Sequence, residues 1–367
     1  MSEYILIIVW LALMALFQHF VETEETVLVE GKKRRRKTWW FAILVFLPLI
    51  WFTVNRSRYI GDTLNYIHTF EGMPSSFSDL ISYYHSLVKD KWFYAFEALI
   101  HIFISKDYKI CFFIIALLQS FALIKLYRKH SPDYMMAVFL FVACGDYISW
   151  MHNGARQFVA VSICLFATSW MLERKYFLSI ITILIASRFH GSALLMIPIF
   201  LICIGKPWNR RTILFISLAL IAIVFISQFT NWLDMALEET QYENVVSDWR
   251  AWNDDGTNPI RVLVYSIPAM LSLIGLKYIR SENDVVVNFC TNMSIVTAGL
   301  YLISMFTSGI FIGRLPIYAS LYSNGVLLPW EIKHIFNKES SRYIQIASII
   351  GYLLLYLYQL IFQWEII

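Results

Sequence analysis

Apolar residues in this chain come in blocks long enough to cross a lipid bilayer, and that pattern decides what it can fold into. A helix needs about 20 apolar residues to span roughly 30 Å of hydrocarbon. Runs of that order recur at 4–21, 39–54, 110–127, 134–150, 157–173, 176–188, 191–205, 212–229, 260–279, 285–306, 315–330 and 343–363. The expected fold is all-α: a polytopic integral membrane bundle of about 12 segments, forming one domain over residues 1–367. The weakest stretch is 176–205, where Arg188, Phe189 and His190 interrupt the run; it reads as one broken helix or as two short ones meeting at a turn.

Composition agrees. The chain is 58% hydrophobic and 15% charged, whereas soluble domains carry about a quarter charged residues. That excludes a disordered chain and argues against a soluble enzyme. Cys111, Cys144, Cys164, Cys203 and Cys290 all lie in apolar runs, with no CxxC or Cys/His cluster. Neither a disulfide framework nor a zinc site is therefore indicated; no cofactor and no nucleic-acid partner are expected. The first run starts at Tyr4 with neither a basic leader nor a small-x-small cleavage site, so no cleavable signal is expected.

Orientation follows from the basic residues. With the N-terminus outside, 19 of the 30 Lys and Arg fall in or beside the inner loops, dominated by Lys32–Lys37. Positive charge gathers on the cytoplasmic side, which favours N-out and C-out. Two outer loops are long. Residues 55–109 contain the aromatic amphipathic stretch Trp92, Phe93, Tyr94, Phe96, Leu99, Ile100 and Phe103, expected in the interface plane. Residues 230–259 are acidic, with Asp234, Glu238, Glu239, Glu243, Asp248, Asp254 and Asp255, and are expected to be wet.

Ionisable groups at the mouth of apolar segments are costly and mark candidate sites. Arg56-Ser57-Arg58-Tyr59-Ile60-Gly61-Asp62-Thr63-Leu64-Asn65-Tyr66 follows the second run; Asp62 is expected as a helix N-cap sharing a face with Tyr66. The bland alternative is an Arg–Asp pair that fixes the turn. Asn153-Gly154-Ala155-Arg156-Gln157 opens the fifth run, with Asn153, Arg156 and Gln157 expected along one helix face at an N-terminus suited to anions. Arg188-Phe189-His190-Gly191-Ser192 fills the break, where His190 suits a general base. Arg314, ahead of Pro316 and Tyr318, and Arg261, after Asn258-Pro259, complete the set. Against all of these stands simple snorkelling of arginine to headgroups. The topology puts every one on the outer face, where arginines suit phosphate and aromatic rings suit sugars.

Taken together, R-x-R-x-x-G-D-x-x-x-Y at Arg56–Tyr66, N-x-x-R-Q at Asn153–Gln157, R-F-H-G-S-A-L-L from Arg188 with Pro198 beyond it, and Arg314 with Tyr318 resemble the EpsG/Wzy-like family of bacterial polysaccharide polymerases. The resemblance runs along nearly the whole chain. It implies a GT-C-like fold in the bacterial inner membrane, working on the periplasmic face without metal or nucleotide sugar. Such an enzyme moves a glycan from undecaprenyl pyrophosphate to the non-reducing end of a lipid-linked repeat unit of exopolysaccharide, capsule or O-antigen. A chain-length regulator is a partner the resemblance allows.

By that likeness Arg56, Arg58, Arg156, Arg188 and Arg314 hold the pyrophosphate. Tyr66, Asn153, Gln157, Arg261 and Tyr318 join the substrate-binding set, and His190, ahead of Asp62, is the base. An O-antigen-ligase-type transferase shares this donor chemistry. A flippase or exporter of lipid-linked sugar would place charge deeper in the bundle, and an O-acyltransferase would call on His152 or His190.

Overall fold

Each apolar run carries helix, because hydrocarbon leaves backbone polar groups no partner except one another. The structure, a computed structural model, describes residues 2–29, 32–237 and 254–366. Four helices are long and apolar enough to cross a membrane alone: Tyr108–His130, Ala155–Leu172, Val285–Met305 and Lys338–Gln363. Three further pairs qualify jointly but bend, by 70° after Ala143, 106° after Val224 and 71° after Ile274. Their outer surfaces are apolar, with Leu13, Trp51, Leu218, Val224, Ile274 and Leu354 all exposed. Exposed apolar surface on this scale is stable against lipid, not water. The chain is a multi-pass, helical membrane protein.

It packs as two units, Met1–Ser169 with Phe177–Ala193 and Gln345–Ile367, and Trp170–Tyr176 with Leu194–Ile344. The chain leaves the first unit just after the Arg188–His190 break, where α9 (Tyr176–Phe189) gives way to a 3-10 turn at Gly191–Leu195. The break is thus two helices meeting at a turn.

In the first unit, α1 (Ser2–Phe17), α2 (Trp39–Val54), α6 (Tyr108–His130) and α7 (Tyr134–Ala143) form the scaffold. Buried tyrosines tie it through carbonyls: Tyr134 to Ala42 at 2.9 Å, Tyr147 to Leu49 at 2.8 Å and Tyr356 to Tyr4 at 3.1 Å. The basic 22–38 connection is not a simple loop but an antiparallel hairpin, β1 (Glu24–Val29) against β2 (Lys32–Lys37). Lys37 pairs with Glu24 at 2.8 Å, and Arg128 at the end of α6 pairs with Glu25. The 55–109 connection is folded as well, into α3 (Thr63–Glu71), α4 (Phe77–Ser86) and α5 (Lys91–Phe103). Phe93, Ala98 and Ile100 of α5 enter a core with Phe70, Cys111 and Ile115.

The second unit is built around α15 (Val285–Met305), which is buried nearly all round, as expected for a helix apolar on every side. α10 (Met196–Cys203), α11 (Arg210–Val224), α13 (Pro259–Ile274) and the segment 312–327 surround it. Asn292 at its centre donates to the carbonyls of Cys203 and Lys206 and accepts from Trp208 N–H, each at 3.0 Å. A buried amide is tolerated because it is so fully satisfied.

Candidate functional site

The 56–66 and 153–157 motifs, far apart in sequence, dock on each other. Gly61 takes a left-handed backbone with φ +51°, and a Cβ there would lie 2.4 Å from Asn153 Oδ1. Only glycine permits that approach. Asp62 N–H then donates to Asn153 Oδ1 at 3.0 Å, and Tyr66 OH donates to the Asn153 carbonyl at 2.9 Å.

Three details depart from the sequence reading. Asp62 occupies the N-cap position of α3, yet its side chain makes no capping bond. It pairs with neither arginine, because Arg56 is turned inward, where Nε donates to Thr63 Oγ1 at 3.0 Å and Nη1 to the Thr53 carbonyl at 2.7 Å. The guanidinium also stacks over Phe112, 3.9 Å from the ring centroid.

The third departure concerns Asn153, Arg156 and Gln157, which do not line one helix face. Asn153 ends a π-helical turn, Tyr147–Asn153, and α8 (Ala155–Leu172) begins only after Gly154. Gln157 is buried while Arg156 stays partly open, since neighbours on a helix point about 100° apart.

Arg156 is the hub. Its Nη1 donates to Asp90 Oδ2 at 3.2 Å and to Tyr94 OH at 2.7 Å, and it also bonds Tyr66. Asp90 sits immediately before α5 in a left-handed conformation, φ 50°. Burial pushes its carboxyl upward, and the Arg156 and Lys89 charges oppose that.

Behind these groups Thr53, Arg56, Tyr66, Phe93, Glu97, Phe112, Ile115, Met151 and Ala155 line a cavity with room for little more than a water molecule. It is too small for a diphosphate headgroup. Burial pushes the Glu97 carboxyl on its wall up to about 8, with nearby Arg156 and the Cys111 thiol pulling the other way. Thr53, which accepts from Arg56, is itself held in a network: His152 contacts Tyr4 OH at 3.3 Å and Thr53 Oγ1 at 3.4 Å, and Thr53 donates to Tyr147 OH at 3.2 Å.

The structure thus brings Arg56, Asp62, Tyr66, Asn153 and Arg156 together. Arg58 and Arg188 are exposed and bond to none of them. His190 Nδ1 lies 2.7 Å from Ser192 Oγ. The neighbouring Phe189 packs edge-on against Trp92 and Phe96, so the end of α9 rests on α5.

No solved structure and no curated protein matches this chain. Its sequence does match the EpsG family over residues 39–365, almost its whole length. The chain belongs to the EpsG family. That assignment points to a polysaccharide polymerase-like role in a membrane, and it covers both units.

In the second unit of this EpsG-family chain, Arg261 lies over the rings of Tyr265 and Tyr301, at 5.5 and 5.9 Å. Arg314 ends a 3-10 turn ahead of α16 (Ile317–Tyr322), which buries Tyr318. Most of the acidic run falls on residues 238–253, outside the described residues. Asp254, expected to be wet, is instead buried. It accepts from Ser308 Oγ at 2.7 Å and from the N–H groups of Gly309 and Ile310, both at 2.9 Å, and of Gly256 at 3.1 Å. Burial alone would raise this carboxyl, but those donors hold it below the usual carboxylate range.

Asp90, Tyr94, Glu97 and Asp254 were not singled out from sequence as site residues. The only signal was an acid inside the aromatic stretch: on a helix Glu97 falls on the face of Phe93 and Ile100, where a charge does not belong.

Proposed function

We propose that this chain is a polysaccharide polymerase. It transfers a glycan from undecaprenyl pyrophosphate to the non-reducing end of a lipid-linked repeat unit, on the periplasmic face of a bacterial inner membrane. The observation that carries the reading is the docking of the two arginine motifs, which brings Arg56 and Arg156 to Tyr66 in a member of this family.

Arg156 remains 26% exposed, so a phosphate reaches it from the open side. Guanidinium groups there stabilise charge developing on the leaving pyrophosphate. Tyr66 is too deeply buried to stack on a sugar and serves as the rivet between motifs. The acceptor hydroxyl loses its proton to Asp62 or His190 as its oxygen attacks the donor sugar carbon, and the bond from that carbon to pyrophosphate breaks.

Reconstitution in vesicles with lipid-linked repeat units tests this directly. The expected result is a ladder of lengthened glycans with stoichiometric release of undecaprenyl pyrophosphate. Movement of intact lipid-linked units across the bilayer, with no new glycosidic bond, would replace the reading by export.

A further inference from the structure

Glu97 is an ionisable group of this site that the transfer chemistry leaves unused. Its side chain is 1% exposed. Among the described residues its one hydrogen bond comes from Cys111 Sγ, 3.8 Å from Oε1, and it forms no ion pair although it shares a cavity with Arg56. A carboxylate sharing so dry a cavity with a guanidinium would be expected to pair; a neutral acid need not.

We propose that Glu97 is a positioning residue that governs donor binding through its own proton. As the acid it leaves the charge of Arg156, the arginine open to solvent, available to phosphate, and as the carboxylate it offsets part of that charge from the buried side. This rests on the polymerase reading for its substrate, not for its chemistry.

The groups around it fix the sign. Arg156 on α8 and the Cys111 thiol on α6 favour the carboxylate, and Arg56 after α2 lines the same cavity. Tyr83 on α4 and Tyr94 on its own helix are neutral phenols whose ionisation its carboxylate disfavours, and Tyr66 on α3 lines the same cavity. Burial outweighs the favourable set, so the carboxyl titrates near neutral pH. Losing the proton needs no co-reactant; it passes to solvent.

The test measures transfer and the infrared carboxylic-acid band together between pH 6 and 9. Wild-type transfer falls about tenfold per pH unit beyond the titration point, and the wild-type minus Glu97→Gln difference spectrum loses its acid band over the same interval. Glu97→Gln keeps the low-pH rate and shows no alkaline fall. Cys111→Ala, which removes a donor that favours the carboxylate, moves the fall to higher pH and serves if the glutamine variant does not fold.

An acid band absent at pH 6, or a Glu97→Gln profile matching the wild type, overturns the proposal. A Cys111→Ala profile that does not move does the same. If no polymer forms at all, inorganic pyrophosphate binding over the same pH range decides, because the polymerase reading then fails while the proton dependence of anion binding still stands or falls.

Discussion

Arg156 and Asp90 meet at 3.2 Å across 66 residues of sequence, and that contact joins the opening turn of α8 to the residue that launches α5. Removing one member of such a pair leaves the other partly buried without compensation. A fully buried case costs about 3–5 kcal/mol; with Arg156 partly open, Asp90→Asn is expected to cost roughly 1–3 kcal/mol after discounting for solvent screening. Thermal unfolding in detergent measures it. Arg156→Lys should keep the fold and lose most transfer activity, because a single ammonium cannot reproduce the contacts to Asp90, Tyr94 and a phosphate together.

Gly61→Ala tests the docking itself. It adds strain at φ +51° and drives a methyl into Asn153 Oδ1. A cost of about 1–3 kcal/mol is expected. Asn153→Ala removes only the acceptor of Asp62 N–H and should cost roughly 1 kcal/mol. The double variant should cost less than the sum, since both act on one contact. Additive losses would show that the two motifs are not coupled.

How much of this was legible follows from what each signal reports. Hydropathy located α2 to the residue, because hydrocarbon thickness and helix rise leave little freedom. The motifs at 56–66 and 153–157 were visible as misplaced polar groups. Their mutual docking was not, since it depends on a left-handed glycine and a carbonyl 87 residues away. Asn153 was misread as the start of a helix because the π-helical turn before it leaves no mark in apolar spacing. The charge of Lys32–Lys37 was legible in the sequence but its strand was not, because the strand is fixed by pairing with Glu24–Val29. Asp254 looked solvated by composition alone; what buries it is a loop 54 residues on that supplies its donors.

Asp254 makes a second-unit prediction with a definite sign. Its carboxyl is held below the usual range, so the stability it contributes is present above the unfolded value near 3.8 and is lost as pH falls through the folded value. Asp254→Ala leaves the Ser308 hydroxyl and the N–H groups of Gly309, Ile310 and Gly256 without their acceptor. It should lower the unfolding temperature at pH 7 and narrow the gap between pH 7 and pH 3. Equal pH responses in the two proteins would remove the carboxylate from this role.

Glu97 carries the opposite sign. Its folded value lies near 8, above the ordinary 4.5, so the native state holds a proton that the unfolded chain gives up between those values. Stability therefore falls as pH rises through that window, by about 1.4 kcal/mol per unit at the steepest. Glu97→Gln should unfold at the same temperature at pH 6 and pH 8, and at pH 8 above the wild type. Calorimetry of the two proteins at the two pH values is enough.

The choice of base remains the sharpest test of the chemistry. The Asp62 carboxylate is half-buried beside Tyr66, and among the described residues it has no hydrogen-bond or ion-pair partner. Sequence ranked it below His190 because two arginines stand nearby, but Arg56 is engaged with Thr53 and Thr63 instead. His190 has Ser192 against Nδ1. Asp62→Asn preserves size and the backbone bond to Asn153, so a loss of transfer of about 100-fold or more, with the unfolding temperature unchanged, marks Asp62 as the base. Should Asp62→Asn retain normal polymer length and rate while His190→Ala abolishes both, the proton goes to the imidazole at the end of α9.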